Sequence, residues 1–297
     1  MKKILVLGSA NADLLIHTER MPKLGETVNG YDFVTNAGGK GLNQAVAIKK
    51  LGGNVSFFGA IGNDSNGDML CQTLNKYAIS FVGIKSHSTP TGTAIVTVIN
   101  GDNFIILNKG ANALITKEVI KENFSLIAES DYLVLQLEIP IDAIIEAINI
   151  AKENNTKIIL NPAPFSALPD SVYKNIDYLI PNEHEAECIV GFPVDDEESC
   201  IKAIKSIQDK GVKNVVITLG SKGCVYSDNN AIKFFNAIDS KVVDTTSAGD
   251  SFIGALITKL AEGLDITDAI PFATKVASIT VSRSGASISI PFANEVI

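Results

Sequence analysis

Five short apolar runs constrain the fold of this chain more than any other feature. They occupy Lys3–Leu7, 131–137, Lys157–Leu160, 176–180 and 214–219, and all are rich in Ile, Leu and Val. Continuous apolar runs of this length suit strands covered on both faces, as parallel strands are. Between them the apolar spacing becomes helical. Ile141, Ile144, Ile145, Ile148 and Ala151 share one helix face, as do Cys200, Ala203, Ile204 and Ile207. Buried strands alternating with amphipathic helices predict a three-layer α/β sandwich with a mostly parallel central sheet. Ligands of such sheets sit beyond the carboxyl ends of the strands, so the residues after each run are the ones to inspect. Two stretches break the pattern. Residues 27–35 read as a strand, and 91–99 with 104–107 read as a hairpin turning at Asn100, Gly101, Asp102 and Asn103. They are assigned to a small β appendage, from about 14–36 and 91–108, inserted in a single domain of 1–297.

Composition excludes several classes. Of 297 residues 46% are hydrophobic and 20% charged, which rules out disorder. The net charge of −8, without a basic stripe, argues against a nucleic-acid or anionic-membrane partner. No stretch approaches the roughly 18 apolar residues of a membrane helix. Met1, Lys2 and Lys3 before an apolar run mimic a signal peptide, but the run is short and Asn11 and Asp13 follow at once. Cys71, Cys188, Cys200 and Cys224 are scattered, with no zinc-ligand spacing, and read as reduced thiols of a cytosolic protein.

The first run ends in Gly8, Ser9, Ala10, Asn11, Ala12, Asp13. That is no dinucleotide fingerprint. Asn11 and Asp13 point the same way on extended chain and suit the hydroxyls of a polyol, or the cap of a turn. Gly38, Gly39, Lys40 and Gly41 precede Asn43 and a run of helix formers. The glycines allow close backbone approach to a ligand, and equally a helix-capping turn. Glu138 follows the second run, where it suits a ligand hydroxyl or a solvated strand end. Asn182, Glu183, His184 and Glu185 follow the fourth. Their carboxylates suit a largely hydrated Mg²⁺, or complement a helix dipole. Thr218, Leu219, Gly220, Ser221, Lys222 and Gly223 close the fifth run and suit a nucleotide phosphate or an ordinary turn. The most informative segment runs from Asp244 through Thr245, Thr246, Ser247, Ala248, Gly249 and Asp250 into an apolar helix face of Phe252, Ile253, Leu256 and Leu260. A helix start is an anion site. A carboxylate there repels a stored phosphate, but makes sense as a base acting on a hydroxyl that attacks a phosphoryl group.

Together these segments resemble the ribokinase-like (PfkB) family of carbohydrate kinases, which also holds adenosine kinase and fructokinase. The resemblance runs from about Ile4 to Phe292. Gly38-Gly39-Lys40-Gly41 with Asn43, and Asp244-Thr245 leading to Ala248-Gly249-Asp250, carry it for the whole family. Gly8 with Asn11 and Asp13, Pro22 with Gly25-Glu26-Thr27, Gln136 with Glu138, Asn161 with Pro164, and Gly285-Ala286 resemble its ribose-phosphorylating branch. The resemblance implies that Asn11, Asp13, Gly39, Lys40, Asn43 and Glu138 hold the sugar. Asp250 would be the general base, with Ala248 and Gly249 forming an anion hole. Asn182, Thr218, Leu219, Gly220, Ser221, Lys222, Gly223, Gly249 and Thr274 would bind ATP. Glu185 would support Mg²⁺ through water. A monovalent cation, K⁺, would take Asp244, Thr246, Thr280, Arg283, Gly285 and Ser289, mostly through carbonyls. The appendage would be a lid over the sugar, and lids of two subunits would pair, with Val96, Val98, Ile105 and Leu107 as their apolar material.

Three departures stand out. Ser247 replaces the family's Gly or Ala, Thr274 replaces Asn or His near the adenine, and a final helix is expected to be short or missing. The resemblance implies ATP-dependent phosphorylation of the primary hydroxyl of D-ribose. Deoxyribose, fructose, adenosine, or a catalytically silent sugar sensor are the alternatives.

Overall fold

The computed structural model describes residues 1–99, 102–228 and 231–296, so Asn100 and Gly101, at the expected hairpin tip, lie outside the described residues. The strands are β1 (Lys3–Leu7), β2 (Asn11–Thr18), β3 (Gly30–Gly38), β4 (Asn54–Gly62), β5 (Ser80–Ser86), β6 (Gly92–Ile99), β7 (Asp102–Asn108), β8 (Tyr132–Leu135), β9 (Lys157–Leu160), β10 (Tyr178–Leu179), β11 (Asn214–Thr218), β12 (Cys224–Ser227) and β13 (Ile232–Phe235). The helices are α1 (Lys40–Lys50), α2 (Ser65–Lys76), α3 (Lys117–Glu122), α4 (Phe124–Ala128), α5 (Ile141–Glu153), α6 (Asp170–Tyr173), α7 (Glu183–Val190), α8 (Glu197–Asp209), α9 (Ala248–Glu262) and α10 (Ile266–Val281).

Nine strands form the central sheet in the order β13-β12-β11-β10-β9-β8-β1-β4-β5. From β5 to β11 every neighbouring pair is parallel; β12 and β13 join antiparallel at one edge. The five apolar runs supply β1, β8, β9, β10 and β11. Alternation within β1 divides the core. Leu5 and Leu7 pack with Ile144 and Ile148 of α5 and Ile204 of α8 on one face. Ile4 and Val6 pack with Val46 of α1 and Leu256 of α9 on the other. All are at most 2% exposed, so each contributes about 1.5–3 kcal/mol of apolar burial.

α1 starts hard against the end of β1. A Cβ added at Gly41 would lie 2.8 Å from the Gly8 carbonyl carbon and the Ser9 nitrogen, so only glycine fits there. α1 also crosses α9 closely: a Cβ at Gly254 would meet the Ala47 Cβ at 2.4 Å. These two contacts bring the start of α1, the end of β1 and the first turn of α9 into one place.

The second sheet has the order β3-β2-β6-β7, with β2 and β6 parallel and the outer pairs antiparallel. It leaves the central sheet at Asn11. Apolar side chains lie open on both its faces: Ile95 and its cross-strand partner Ile106 on one, Val34 and Ile105 on the other. The expected partner-seeking set needs correcting at Val96, which is 9% exposed and packed within the chain; Val98 and Leu107 are half-buried. Val96 shares its face with Val34 and Ile105 but is covered, while Ile95 on the opposite face is exposed. Among the described residues no helix is long and apolar enough to cross a membrane.

Candidate active site

The residues that follow β1, β8, β9, β10 and β11 gather along the carboxyl edge of the central sheet, facing the starts of α1 and α9. The start of α9 is set by Ser247, which adopts the left-handed conformation (φ 62°). The Ala248 N–H, expected in an anion hole, is taken by the Thr245 carbonyl at 3.2 Å, which leaves the N–H groups of Gly249 and Asp250 as the open donors of the first turn. A cavity of about 210 Å³ opens there. Lys40, Asn182, Glu185, Thr218, Ser247, Ala248, Gly249 and Asp250 line it, together with Asn161 and Thr245.

Asp250 is buried, and both its carboxylate oxygens accept amide N–H groups of α1. Asn43 Nδ2 donates to Oδ2 at 3.1 Å and Gln44 Nε2 donates to Oδ1 at 2.9 Å. Burial pushes the Asp250 carboxyl upward, while the Lys40 ammonium and the two amides favour the ionised form. Asp13 and Glu138 crowd the same ammonium. Burial, then the charges of Glu138 and Asp250, raise Asp13 to about 7, with Lys40 opposing. Burial alone would lower Lys40, but Asp250, Glu138, Glu185 and Asp13 together hold it above the ordinary lysine value. Glu138 accepts from the Ser9 hydroxyl and, at 3.3 Å, from the Lys40 backbone N–H. Asn11 is fixed by Asn112, whose Nδ2 donates to its Oδ1 at 2.8 Å. Asn11, Asp13, Gly39, Lys40, Asn43, Glu138 and Asp250 therefore converge. Asn43 holds the carboxylate of Asp250 with its nitrogen, and its Oδ1 is buried without a partner.

On the far side of Lys40, Asn182 and Glu185 form a reciprocal cap of α7. Asn182 Oδ1 accepts from the Glu185 N–H at 2.8 Å, and Glu185 Oε2 accepts from the Asn182 N–H at 2.9 Å. Burial raises the Glu185 carboxyl against the Asn182 hydrogen bond and Lys40. Thr218 pairs with this segment through its N–H on the Pro181 carbonyl at 2.9 Å. Residues 219–223 make a tight turn, in which the Leu219 N–H donates to the Gly223 carbonyl at 2.8 Å. The turn does not bring its polar side chains to Asp250. Lys222 Nζ donates to the Asp195 carbonyl at 2.9 Å, and Ser221 and Lys222 border a separate cavity with Glu183 and Phe234. Thr274 is buried in α10, where its hydroxyl donates to the Ile270 carbonyl at 3.0 Å. It does not line the cavity at Asp250.

The residues expected around a monovalent cation meet in part. Asp244 accepts from the N–H groups of Thr246 at 2.8 Å and Gly285 at 2.9 Å, and these bonds hold its carboxyl low despite burial. The Thr280 carbonyl accepts the Arg283 N–H at 3.1 Å. The Ser289 hydroxyl donates to Ala286, and the Arg283 guanidinium turns away to Glu295. Among the described residues no group of three or more His, Cys, Asp or Glu could hold a metal ion. Sequence reasoning gave no role to Ser9, Gln44, Asn112, Gln136 or Asn161. Each is a buried polar residue beside a quoted motif or at a strand end, and burial was the missing signal.

The family model described as pfkB family carbohydrate kinase matches residues 1–293. A ribokinase of Haemophilus influenzae is 39% identical over 298 residues, covering 100% of this chain and 97% of that protein. A deoxyribokinase of Salmonella typhi is 34% identical over 291 residues, covering 97% of this chain and 95% of that protein. The structure of an Arabidopsis thaliana ribokinase complexed with ribose and ATP superposes with a TM-score of 0.92 at 32% identity, over 99% of this chain and 97% of that one. The chain belongs to the pfkB family of carbohydrate kinases.

Proposed function

We propose that this chain is an ATP-dependent kinase that phosphorylates the primary 5-hydroxyl of D-ribose. The observation that carries the reading is the buried Asp250 carboxylate in the first turn of α9, held by two amides beside Lys40 and opening on the same cavity as the α9 N–H groups. Asp250 takes the proton of the attacking hydroxyl. The N–H groups of Gly249 and Asp250 stabilise negative charge on the phosphoryl oxygens, and Lys40 offsets it from the other side. Asn11, Asp13 and Glu138 hold the remaining sugar hydroxyls and so orient the attacking one. Asn182 and Thr218 border the nucleotide side of the cavity, and the 219–223 turn would take the rest of the nucleotide in the separate cavity lined by Leu219, Ser221 and Lys222.

Mg²⁺, when bound with ATP, neutralises phosphate charge. The chain fits an ion held chiefly by phosphates and water, since Glu185 lines that side of the cavity and among the described residues no group of three or more His, Cys, Asp or Glu surrounds it. A monovalent cation fits the oxygen-rich turn that Asp244 gathers from Thr246 and Gly285, and it would steady the segment entering α9. The second sheet acts as a lid. Its exposed Ile95, Ile106, Val34 and Ile105 fit the same sheet of a second subunit, so we assign a homodimer. We place the chain in the cytosol, where its four cysteines stay reduced.

Deoxyribose is the second reading, because a relative with nearly full coverage carries the name deoxyribokinase. The test is ATP turnover across ribose, deoxyribose, fructose and adenosine. Ribose is expected to give the highest kcat/KM. A higher value for another acceptor reassigns the substrate, and absence of turnover with all four overturns the reading.

A further inference from the structure

We propose that Gln44 is the positioning residue of this site: its side-chain amide sets the orientation and proton affinity of the Asp250 carboxylate. The proposal rests on reading Asp250 as the base. Gln44 is 0% exposed, and its hydrogen-bonding pattern admits one orientation. Its Nε2 faces two acceptors, Asp250 Oδ1 at 2.9 Å and Asn161 Oδ1 at 3.3 Å. Asn161 cannot present a nitrogen instead, because its Nδ2 donates to the Ile180 carbonyl at 2.9 Å. On the other side Gln44 Oε1 accepts from Gln136 Nε2 at 2.6 Å. A flipped Gln44 would set oxygen against two oxygens and nitrogen against nitrogen. The amide is therefore locked from three directions by β8, β9 and α9 neighbours, and it locks Asp250 in turn.

Two consequences follow for proton transfer. A carboxylate attached by one oxygen can swing about its last torsion. With Asn43 on Oδ2 and Gln44 on Oδ1, the plane of the Asp250 carboxylate is fixed and its remaining lone pairs keep one direction. Asp250 is also buried, which favours the protonated acid. A protonated Asp250 cannot accept the hydroxyl proton. Gln44 counters this with an N–H that adds no charge to the carboxylate cluster, where a second lysine would compete with Lys40 for the same anions.

The test uses two variants, each purified and scored for thermal unfolding and for ribose binding by calorimetry. Gln44→Met keeps length and volume and deletes the donor. Gln44→Glu keeps Oε1 for Gln136 and replaces the donor by a carboxyl. In Gln44→Met, kcat should fall about 10–100-fold, the range that one hydrogen bond to a charged group supports, while ribose affinity changes less than about threefold. The acid limb of the kcat/KM pH profile should move to higher pH in Gln44→Met, and further in Gln44→Glu, where two carboxyls compete for one proton. An unmoved acid limb in the variant that folds, with kcat per folded molecule intact, overturns the proposal and leaves Gln44 a packing residue. Ribose affinity falling in step with kcat also overturns it and moves Gln44 to the sugar pocket. Turnover by the unmodified enzyme separates these outcomes from failure of the kinase reading itself, which would overturn both.

Discussion

Asp13→Asn should make the sugar-free protein more stable at neutral pH while weakening its grip on ribose. In the folded chain the Asp13 carboxyl is raised to about 7, first by burial and then by Glu138 and Asp250, against 3.8 for a solvated aspartate. Below about pH 3.8 both states carry the proton and the residue contributes no slope. Between 3.8 and 7 the unfolded chain releases its proton while the folded chain retains it, so stability falls as pH rises. Above 7 the deficit is constant. The interval from 3.8 to about 7, at 1.36 kcal/mol per pH unit, corresponds to about 4 kcal/mol, an upper figure for a site that borders solvent. Asparagine has the same shape and no charge, so the deficit disappears. The assay is urea unfolding of both proteins at pH 5, 6, 7 and 8 without sugar. The stability difference should grow with pH to about 2–4 kcal/mol in favour of the variant, while ribose KM rises at least tenfold. Asp250 is coupled to Asp13, so the pH-dependent difference belongs to the pair and not to Asp13 alone. Parallel pH curves for the two proteins would refute the charge-crowding argument.

Asp250→Asn should lower kcat by about 10²–10⁴-fold while calorimetric ribose binding persists; near-normal turnover would remove the base assignment. Ile95→Asp combined with Ile106→Asp, on one open face of the second sheet, should yield monomers with weakened ribose binding. Light scattering that finds the unmodified protein monomeric at micromolar concentration would refute the dimer. Replacing potassium by a bulky organic cation at equal ionic strength should slow turnover, through loss of order in the turn that Asp244 holds; equal rates in both salts would rule that out.

The central sheet was legible where strands are buried on both faces. β1, β8, β9, β10 and β11 each have an uninterrupted apolar run because helices cover them on both sides. β4 and β5 escaped this reading. β4 is broken by Ser56, Gly59 and Gly62, and β5 is the sheet edge, half-buried, with Lys85 in its run. The antiparallel β12 and β13 carry four residues each, too short for any period to register. The rule that ligands bind at strand ends then led to the backbone positions that gather at the candidate site, because that rule depends only on topology.

Side-chain direction was another matter. Lys40 and Lys222 both sit in glycine-rich turns after or beside a strand; Lys40 is expected at the sugar and Lys222 at the nucleotide. Lys40 is confined by the close approach of α1 to β1 and has carboxylates on every side. Lys222 lies on an exposed turn where a flexible four-carbon stem is free to reach the Asp195 carbonyl instead. A local pattern fixes where a Cα stands, but only the packing around it decides where a long side chain ends. The same limit hid Gln44, which meets Asp250 across 206 residues of chain. Its neighbour Asn43 was visible because it belongs to a glycine-lysine-asparagine turn. Gln44 looked like one more helix former, and only the crossing of α1 over α9 at Gly254 gives its amide something to hold. Widening that crossing would then act on the base from a distance. Gly254→Ala must push α9 off Ala47, and with it Asp250 off both amides, so it should reproduce the raised acid limb of Gln44→Met without touching a single polar atom of the site. An acid limb left in place, in a variant that folds and turns over, would mean that Asp250 takes its orientation from somewhere other than α1.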